Sequence, residues 1–303
     1  MRILVAGGTG LLGTDLCRRL SGVHSLLAWA RKPPVGKGLS VACQFESLDV
    51  TDAEAVREGI GRFRPDLILH CAGMTDVDAC EREPAEALRL NAEASGILAA
   101  ASAEAGSAFL YVSTDYVFDG ESPSPYRETD PVRPVSVYGR SKLEGERLAL
   151  ARAPRAIVVR VSGLFGAARQ NFVGMAAQRL RAGEPVSAVT DQVNSPSYTA
   201  DLADGIARLI GLLETQPLAA MAAGPLHGVF HLANRGGASR LQVAQEVAGI
   251  LGKPVSLIRP TRWADLGRPA RRPPQSRLDC SRFSERVGQL RPWQEAIRAF
   301  LNN

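Results

Sequence analysis

Residues 1–13 read Met1-Arg-Ile-Leu-Val-Ala-Gly-Gly-Thr-Gly-Leu-Leu-Gly13, and this stretch decides the fold. Arg2 to Ala6 is a short run of apolar and β-branched residues, and a helical pattern continues through Leu20. A strand, a glycine turn and a helix are therefore predicted in that order. Gly8, Gly10 and Gly13 match G-x-G-x-x-G, and Gly7, Gly10 and Gly13 match G-x-x-G-x-x-G equally well. Side chains here would hold the backbone away from a pyrophosphate, which settles on the positive end of a helix. Gly7, Gly10, Leu11, Leu12 and Gly13 are thus candidate contacts for a dinucleotide.

Outward from this turn the same alternation repeats. Strands are expected at Ser25 to Ala30, near Cys43 to Asp49, at Asp66 to Cys71, at Ala108 to Ser113 and at Ile157 to Val161. Alanine-rich helical stretches lie between them, near 52–63, 85–105 and 141–152. This order predicts an α/β fold with a doubly wound parallel Rossmann sheet. Residues 1–160 would form most of it, with later segments returning to the sheet. Residues 161–303 would mainly form a small, discontinuous C-terminal α/β substrate lobe over the strand ends. Within that half, 171–182, 201–213 and Leu241 to Leu251 look helical, 185–199 extended, and Gly228 to Ala233 a strand. The Arg- and Pro-rich stretch Pro254 to Pro274 reads as extended loop, and Pro217 to Pro225 as a mobile surface loop.

Composition excludes several classes. Thirty-six Lys and Arg against 31 Asp and Glu leave a net charge of only +5, spread along the chain. No basic stripe with interleaved aromatics appears, so no nucleic-acid partner is expected. No run approaches the roughly 20 apolar residues of a membrane span. Met1 leads straight into a strand, so no signal peptide is expected. The five cysteines are odd in number, scattered and form no C-x-x-C, which fits reduced thiols in a cytoplasmic protein. The four histidines show no ligand spacing, and no metal is expected.

The end of the second strand carries the choice of dinucleotide. An NAD-binding chain usually places Asp or Glu there, against the ribose 2′-OH. This chain reads Ala30-Arg31-Lys32, two cations that suit a 2′-phosphate, so NADP(H) is expected. Asp49 and Val50 close the third strand; Asp49 either meets the adenine amino group or caps the helix starting near residue 52. Ala72-Gly73 after the fourth strand lets a cofactor pass close to the backbone, and a tight strand exit would use the same residues.

Tyr138 and Lys142 stand four apart in Ser136-Val-Tyr-Gly-Arg-Ser-Lys142, a spacing that puts both on one helix face. A free Tyr titrates near ~10, and a neighbouring ammonium would lower that value toward neutral pH. The pair follows the fifth strand, whose end carries Ser113-Thr114-Asp115. Hydroxyls there could orient a carbonyl opposite Tyr138.

With these residues in place the chain resembles the dTDP-4-dehydrorhamnose reductases, a branch of the extended short-chain dehydrogenases. Ser113-Thr-Asp-Tyr-Val-Phe-Asp-Gly120 is the most specific stretch. Pro65 to Ala72, Leu90-Asn91-Ala92, Asn171-Phe172, Ala270-Arg271-Arg272-Pro273 and Ser276-Arg277-Leu278 extend the match over essentially the whole chain. The resemblance implies Thr114, Tyr138 and Lys142 as the catalytic set. Tyr138 would protonate the sugar C4 oxygen, Thr114 would bind that oxygen, and Lys142 would also hold the nicotinamide ribose. Asn91 matches a position that supports a proton relay in the wider superfamily. The resemblance further implies a nucleotide-sugar substrate and a homodimer. Asp115, Tyr116, Gly163 and Arg271 are expected to face the substrate. The family's usual Trp after the sixth strand is Gly163 here, which keeps other keto-sugars and other carbonyl substrates open. The same branch also includes the regulatory subunit of methionine adenosyltransferase, a non-enzyme reading against which the intact Thr114, Tyr138 and Lys142 argue.

Overall fold

In the computed structural model, which describes residues 1–32, 43–215, 224 and 226–302, the N-terminal run forms β1 (Arg2–Ala6) and the helix after the glycines forms α1 (Leu11–Leu20). There follow β2 (Ser25–Ala30), β3 (Gln44–Ser47), α2 (Ala53–Phe63), β4 (Leu67–His70), α3 (Val77–Arg82) and α4 (Pro84–Leu88). A π turn at Arg89–Glu93 leads into α5 (Ala94–Glu104), then β5 (Ala108–Thr114), α6 (Val137–Arg152) and β6 (Ala156–Val161). The second half contributes β7 (Leu164–Phe165), α7 (Phe172–Arg181), β8 (Val186–Val189), β9 (Val193–Asn194), β10 (Ser197–Tyr198) and α8 (Thr199–Glu214). It ends with β11 (Gly228–His231), β12 (Ala238–Ser239), α9 (Arg240–Ile250), β13 (Ile258–Thr261), α10 (Ser281–Val287) and α11 (Trp293–Asn302).

The central sheet has seven strands in the order β11-β6-β5-β4-β1-β2-β3, all paired in parallel. Strand order reverses at β1, which opens a crevice at the carboxyl ends of the strands. Alternating side chains serve the two faces. Ile3 and Val5 join α1 and the Leu202, Ile206 and Leu209 face of α8, whereas Leu4 and Ala6 pack with Trp29, Ile60 and Leu98 under α2 and α5. A separate core around Phe165, Leu180, Val186, Val247 and Ile297 joins α7, α9 and α11 beside the crevice.

Several boundaries differ from the sequence reading. The helix expected from residue 141 begins at Val137, because the Ser136 hydroxyl accepts from Gly139 N at 3.2 Å and caps it. The helical run 85–105 is interrupted by the π turn. Pro254–Pro274 is not all loop: Ile258–Thr261 pairs with β8, although its outward-facing residues give no strand-like alternation. The short helices α3, α10 and α11 were not anticipated. The loop expected at Pro217 to Pro225 lies outside the described residues apart from Gly224.

The helix that carries Tyr138 and Lys142 sits unusually close to its neighbours. Gly145 of α6 faces the Asn91 carbonyl and the Tyr111 hydroxyl so closely that a Cβ would collide with both. The π turn bends that carbonyl toward α6 and lets it accept from Tyr111 Oη (3.0 Å) and Ser95 Oγ (2.7 Å). Gly145→Ala should therefore destabilise the protein by about 1–3 kcal/mol through overpacking, read as a lowered midpoint in thermal or urea unfolding; an unchanged midpoint would show that α6 can back away.

Candidate active site

The crevice at the strand ends is a cleft of about 1010 Å³. Its lining contains every residue expected to contact the dinucleotide: Gly7, Gly10, Leu11, Leu12 and Gly13; Arg31 and Lys32; Asp49 and Val50; Ala72 and Gly73; and Tyr138 with Lys142. Thr114, Asp115, Tyr116 and Gly163 line the same cleft, and Arg271 does not.

The glycine turn is built by close approach. Gly7 has φ +88°, and a Cβ on it would lie 2.6 Å from Ala72 N. A Cβ on Gly13 would strike the Gly7 carbonyl. Gly10 caps α1 without a side chain, the first turn holds no acidic residue, and the first helical bond runs from Thr14 N to Gly10 O. The N–H groups of Leu11 to Gly13 thus have no intrahelical acceptor, and they suit a pyrophosphate. Arg31 and Lys32 are exposed at the end of β2. Asp52, not Asp49, caps α2 by accepting from Glu54 N and Ala55 N. Asp49 instead accepts from Thr51 N (3.0 Å) and Oγ1 (2.8 Å), which hold its carboxyl below the usual range while it lines the cleft.

At the other end Tyr138 and Lys142 project from α6 toward the end of β5. Lys142 Nζ donates to Val112 O at 2.7 Å and lies 4.1 Å from the Tyr111 ring centre. Burial lowers its pKa to about 8, against an upward pull from Glu146. The spacing of Tyr138 and Lys142 suggested a lowered phenol pKa, and the structure reverses that expectation. Burial holds Tyr138 above its ordinary value; the Thr114 hydroxyl pulls it down, and Asp115, Tyr116 and Cys80 push it up. The ammonium is turned to Val112, so its influence on the phenol is not among the leading ones. A buried phenol of this kind stays protonated at neutral pH, the form needed to donate.

Asn91 sits in the π turn, fully buried. Its Oδ1 accepts from Met74 N (2.8 Å), and its Nδ2 donates to Met74 O (3.0 Å) and Ser141 Oγ (2.9 Å). Ser141 Oγ donates in turn to Tyr138 O at 2.9 Å. The side chain therefore ties the loop after β4 to the first turns of α6.

Asp115 borders the cleft, but its carboxylate is already engaged. Thr114 Oγ1 donates to Oδ1 at 3.0 Å, while Ser162 Oγ (2.8 Å) and Ser276 Oγ (2.5 Å) donate to Oδ2. Burial raises its pKa to about 6 despite these bonds. Tyr116 meets Tyr138 edge-on with ring centres 5.7 Å apart. Arg271 is exposed away from the cleft, and its neighbour Arg272 is held by Asp78 at 2.8 Å. Gly163 has φ +56°, and a Cβ there would lie 2.9 Å from Asn194 Oδ1. The position is thus not a simple vacancy left by a smaller side chain, since Asn194 stands against it.

Residues from the second half that the sequence reading missed also line the cleft, among them Arg169, Phe172, Asn194 and Arg240. Phe172 opens α7 and Arg240 opens α9. Among the described residues no group of His, Cys, Asp and Glu could hold a metal ion, and no helix is long and apolar enough to cross a membrane. All five cysteines are free.

The family model described as the RmlD substrate binding domain matches residues 1–303. The dTDP-4-dehydrorhamnose reductase of Streptomyces griseus is 39% identical over 303 residues, covering 98% of this chain and 91% of that protein. A probable dTDP-4,6-dihydroxy-2-methyloxan-3-one 4-ketoreductase of Streptomyces antibioticus is 35% identical over 300 residues, covering 98% and 94%. The crystal structure of the Bacillus anthracis dTDP-4-dehydrorhamnose reductase in complex with NADP superposes with a TM-score of 0.84 at 28% identity, covering 99% and 98%.

The raised pKa of Asp115 predicts a pH dependence of stability. Its folded value of about 6 exceeds an unfolded value near ~3.9, so the native state holds the extra proton. The contribution is complete below about pH 4 and is lost as pH rises through about 6, amounting to about 2–3 kcal/mol. Thermal midpoints of wild type should fall relative to Asp115→Asn as pH rises from about 4 to 7; a constant difference would contradict the assignment.

Proposed function

The chain belongs to the family described as the RmlD substrate binding domain, and from that premise we propose that it reduces the 4-keto group of a dTDP-activated 6-deoxy-sugar, in the simplest case dTDP-4-dehydrorhamnose to dTDP-rhamnose. It is an NADP(H)-dependent oxidoreductase. One observation carries the reductase reading: Thr114, Tyr138 and Lys142 share a single cleft with the glycine turn and with Arg31 and Lys32.

The residues present fit the dinucleotide. Gly10 and Gly13 leave room for the pyrophosphate over the uncapped start of α1, and Arg31 and Lys32 would pair with the 2′-phosphate. When bound, NADPH supplies the hydride. Tyr138, kept protonated by burial, donates its phenolic proton to the carbonyl oxygen as the carbon is reduced, so the C=O becomes CH–OH. The Lys142 ammonium, anchored on the Val112 carbonyl, keeps further N–H donors for the ribose and stabilises the phenolate that proton transfer leaves. Thr114 stands beside Tyr138 at the end of β5. Its single proton goes to Asp115 in the structure, so binding the substrate oxygen requires that hydroxyl to rotate and donate to the carbonyl instead.

A second reading, reduction of another dTDP-activated 4-keto-deoxysugar, is favoured by the Gly163–Asn194 arrangement in place of an aromatic wall. The 35% identical ketoreductase relative is in keeping with it.

Purified protein should oxidise NADPH on addition of dTDP-4-dehydrorhamnose, followed by loss of reduced-nicotinamide absorbance. Tyr138→Phe should lower kcat by about 10²–10⁴-fold while NADPH still binds. Replacing Arg31 and Lys32 with Ala should weaken NADPH by about tenfold or more and leave NADH unaffected. Tight NADPH binding without turnover of any dTDP-4-keto-sugar would overturn the proposal.

A further inference from the structure

The cleft carries more positive charge than its cofactor end uses. Five of its lining residues are cationic (Arg31, Lys32, Lys142, Arg169 and Arg240), against two carboxylates, Asp49 and Asp115. Asp115 is already answered by three hydroxyls. Arg31 and Lys32 follow β2 at the cofactor end, and Lys142, anchored on the Val112 carbonyl, turns its remaining donors to the ribose. Arg169 reaches the glycine turn, with Nη2 3.4 Å from Thr9 O. That leaves Arg240.

Arg240 lies on the opposite wall. It follows β12, whose Ala238 pairs with Asn194 of β9, and Asn194 is the residue that abuts Gly163. Its guanidinium carbon stands 5.2 Å from the centre of the Phe172 ring. Among the described residues no carboxylate pairs with it. The neighbouring Arg268 and Arg272 repel it, and their own shared partner is Asp78.

Neither an ion pair nor the helix end accounts for a cation at this exposed position. Arg240 is the first residue of α9, where the helix dipole favours an anion rather than a cation. The helix start is already satisfied by the Ser239–Gln242 capping box. The cation–π contact with Phe172, 5.2 Å from guanidinium carbon to ring centre, supplies no hydrogen-bond acceptor, so the N–H groups remain available to a ligand. Such groups bind phosphate oxygens in pairs.

We propose that Arg240 binds the diphosphate of the nucleotide-sugar substrate, with the Phe172 ring as the neighbour its guanidinium packs against. This rests on the reading that the substrate is a nucleotide sugar. The cofactor's phosphates fall to the β1–α1 turn, Arg31 and Lys32. The substrate's phosphates then fall to the wall formed by α7 and α9, and the sugar extends from there toward Tyr138.

The test uses full-length protein saturated with NADPH, the variants Arg240→Gln and Arg240→Lys, and two probes, dTDP and thymidine. A charge-assisted contact predicts that Arg240→Gln weakens dTDP by about 10–100-fold and raises KM for the keto-sugar in parallel. Binding lost equally from ground and transition states leaves kcat within a few-fold. Thymidine and NADPH affinities should not change, and Arg240→Lys should recover part of the dTDP affinity. Equal weakening of dTDP and thymidine would overturn the proposal in favour of a residue that shapes the wall. A matching loss of NADPH affinity would overturn it in favour of a cofactor contact. Turnover of the keto-sugar with an indifferent Arg240→Gln would sink this inference and leave the reductase standing. Arg240-dependent dTDP binding without turnover would support the subsite and sink the reductase reading instead.

Discussion

A carboxylate sealed inside a protein must be answered by donors, and Asp115 is answered from three separate stretches of chain. Thr114 precedes it on β5, Ser162 follows β6, and Ser276 comes from the segment before α10. Ser162 also accepts from Ser195 N, and Ser195 Oγ accepts from Leu278 N. One buried charge therefore fixes where the second half of the chain meets the end of β5. Removing its donors would leave an uncompensated charge, which costs far more than any single hydrogen bond is worth. The same node sets the direction of the Thr114 proton, so the geometry of the wall built by the second half and that of the Thr114 hydroxyl are not independent.

The helix bearing Tyr138 and Lys142 is mounted by a second buried device. Glu146, one turn beyond Lys142, is paired with Arg160 of β6 at 2.7 Å, and both are almost completely buried. Ser113 Oγ donates to the same Glu146 carboxylate. Burying such a pair adds little net stability, but losing either partner typically costs about 3–5 kcal/mol. Its effect is positional, since it locks α6 in register against β5 and β6. His231 beside Arg160 is held neutral, its pKa lowered to about 3 by burial first and by the Arg160 charge second. Together with the Gly145 approach and the Asn91 bonds, this places Tyr138 and Lys142 through protein contacts alone.

The glycine-turn end of the cleft was legible in the sequence because its constraints are local. Gly7, Gly10 and Gly13 contact one another, and Arg31-Lys32 directly ends a strand. The opposite wall was not. Phe172, Asn194 and Arg240 reach the cleft through pairings only two residues long, β9 with β12 and β7 with β10, which leave no periodic trace. Arg271 stood out as part of a motif, yet the chain turns it outward while Arg272 beside it is consumed by Asp78. The Tyr138 pKa was misjudged for a related reason. Spacing along a helix reports which face two residues share, but it does not report desolvation or where an ammonium is aimed. Asp49 was ambiguous because two aspartates, Asp49 and Asp52, stand at the same strand-to-helix passage, and only the observed bonds separate them.

Gly163 and Asn194 together bear on how this cleft can change over evolutionary time. A left-handed backbone at Gly163 is strained for any side chain, and the Asn194 amide stands in the way of the first carbon added. A larger side chain at this position therefore needs both a backbone change at Gly163 and a rotation of the Asn194 amide. Asn194 must first yield, and Asn194 is also the β9 residue paired with Ala238 just before Arg240. Any substitution at Gly163 therefore acts on two things at once, the turn it forms and the Asn194 side chain, so the shape of this wall changes in steps rather than one atom at a time.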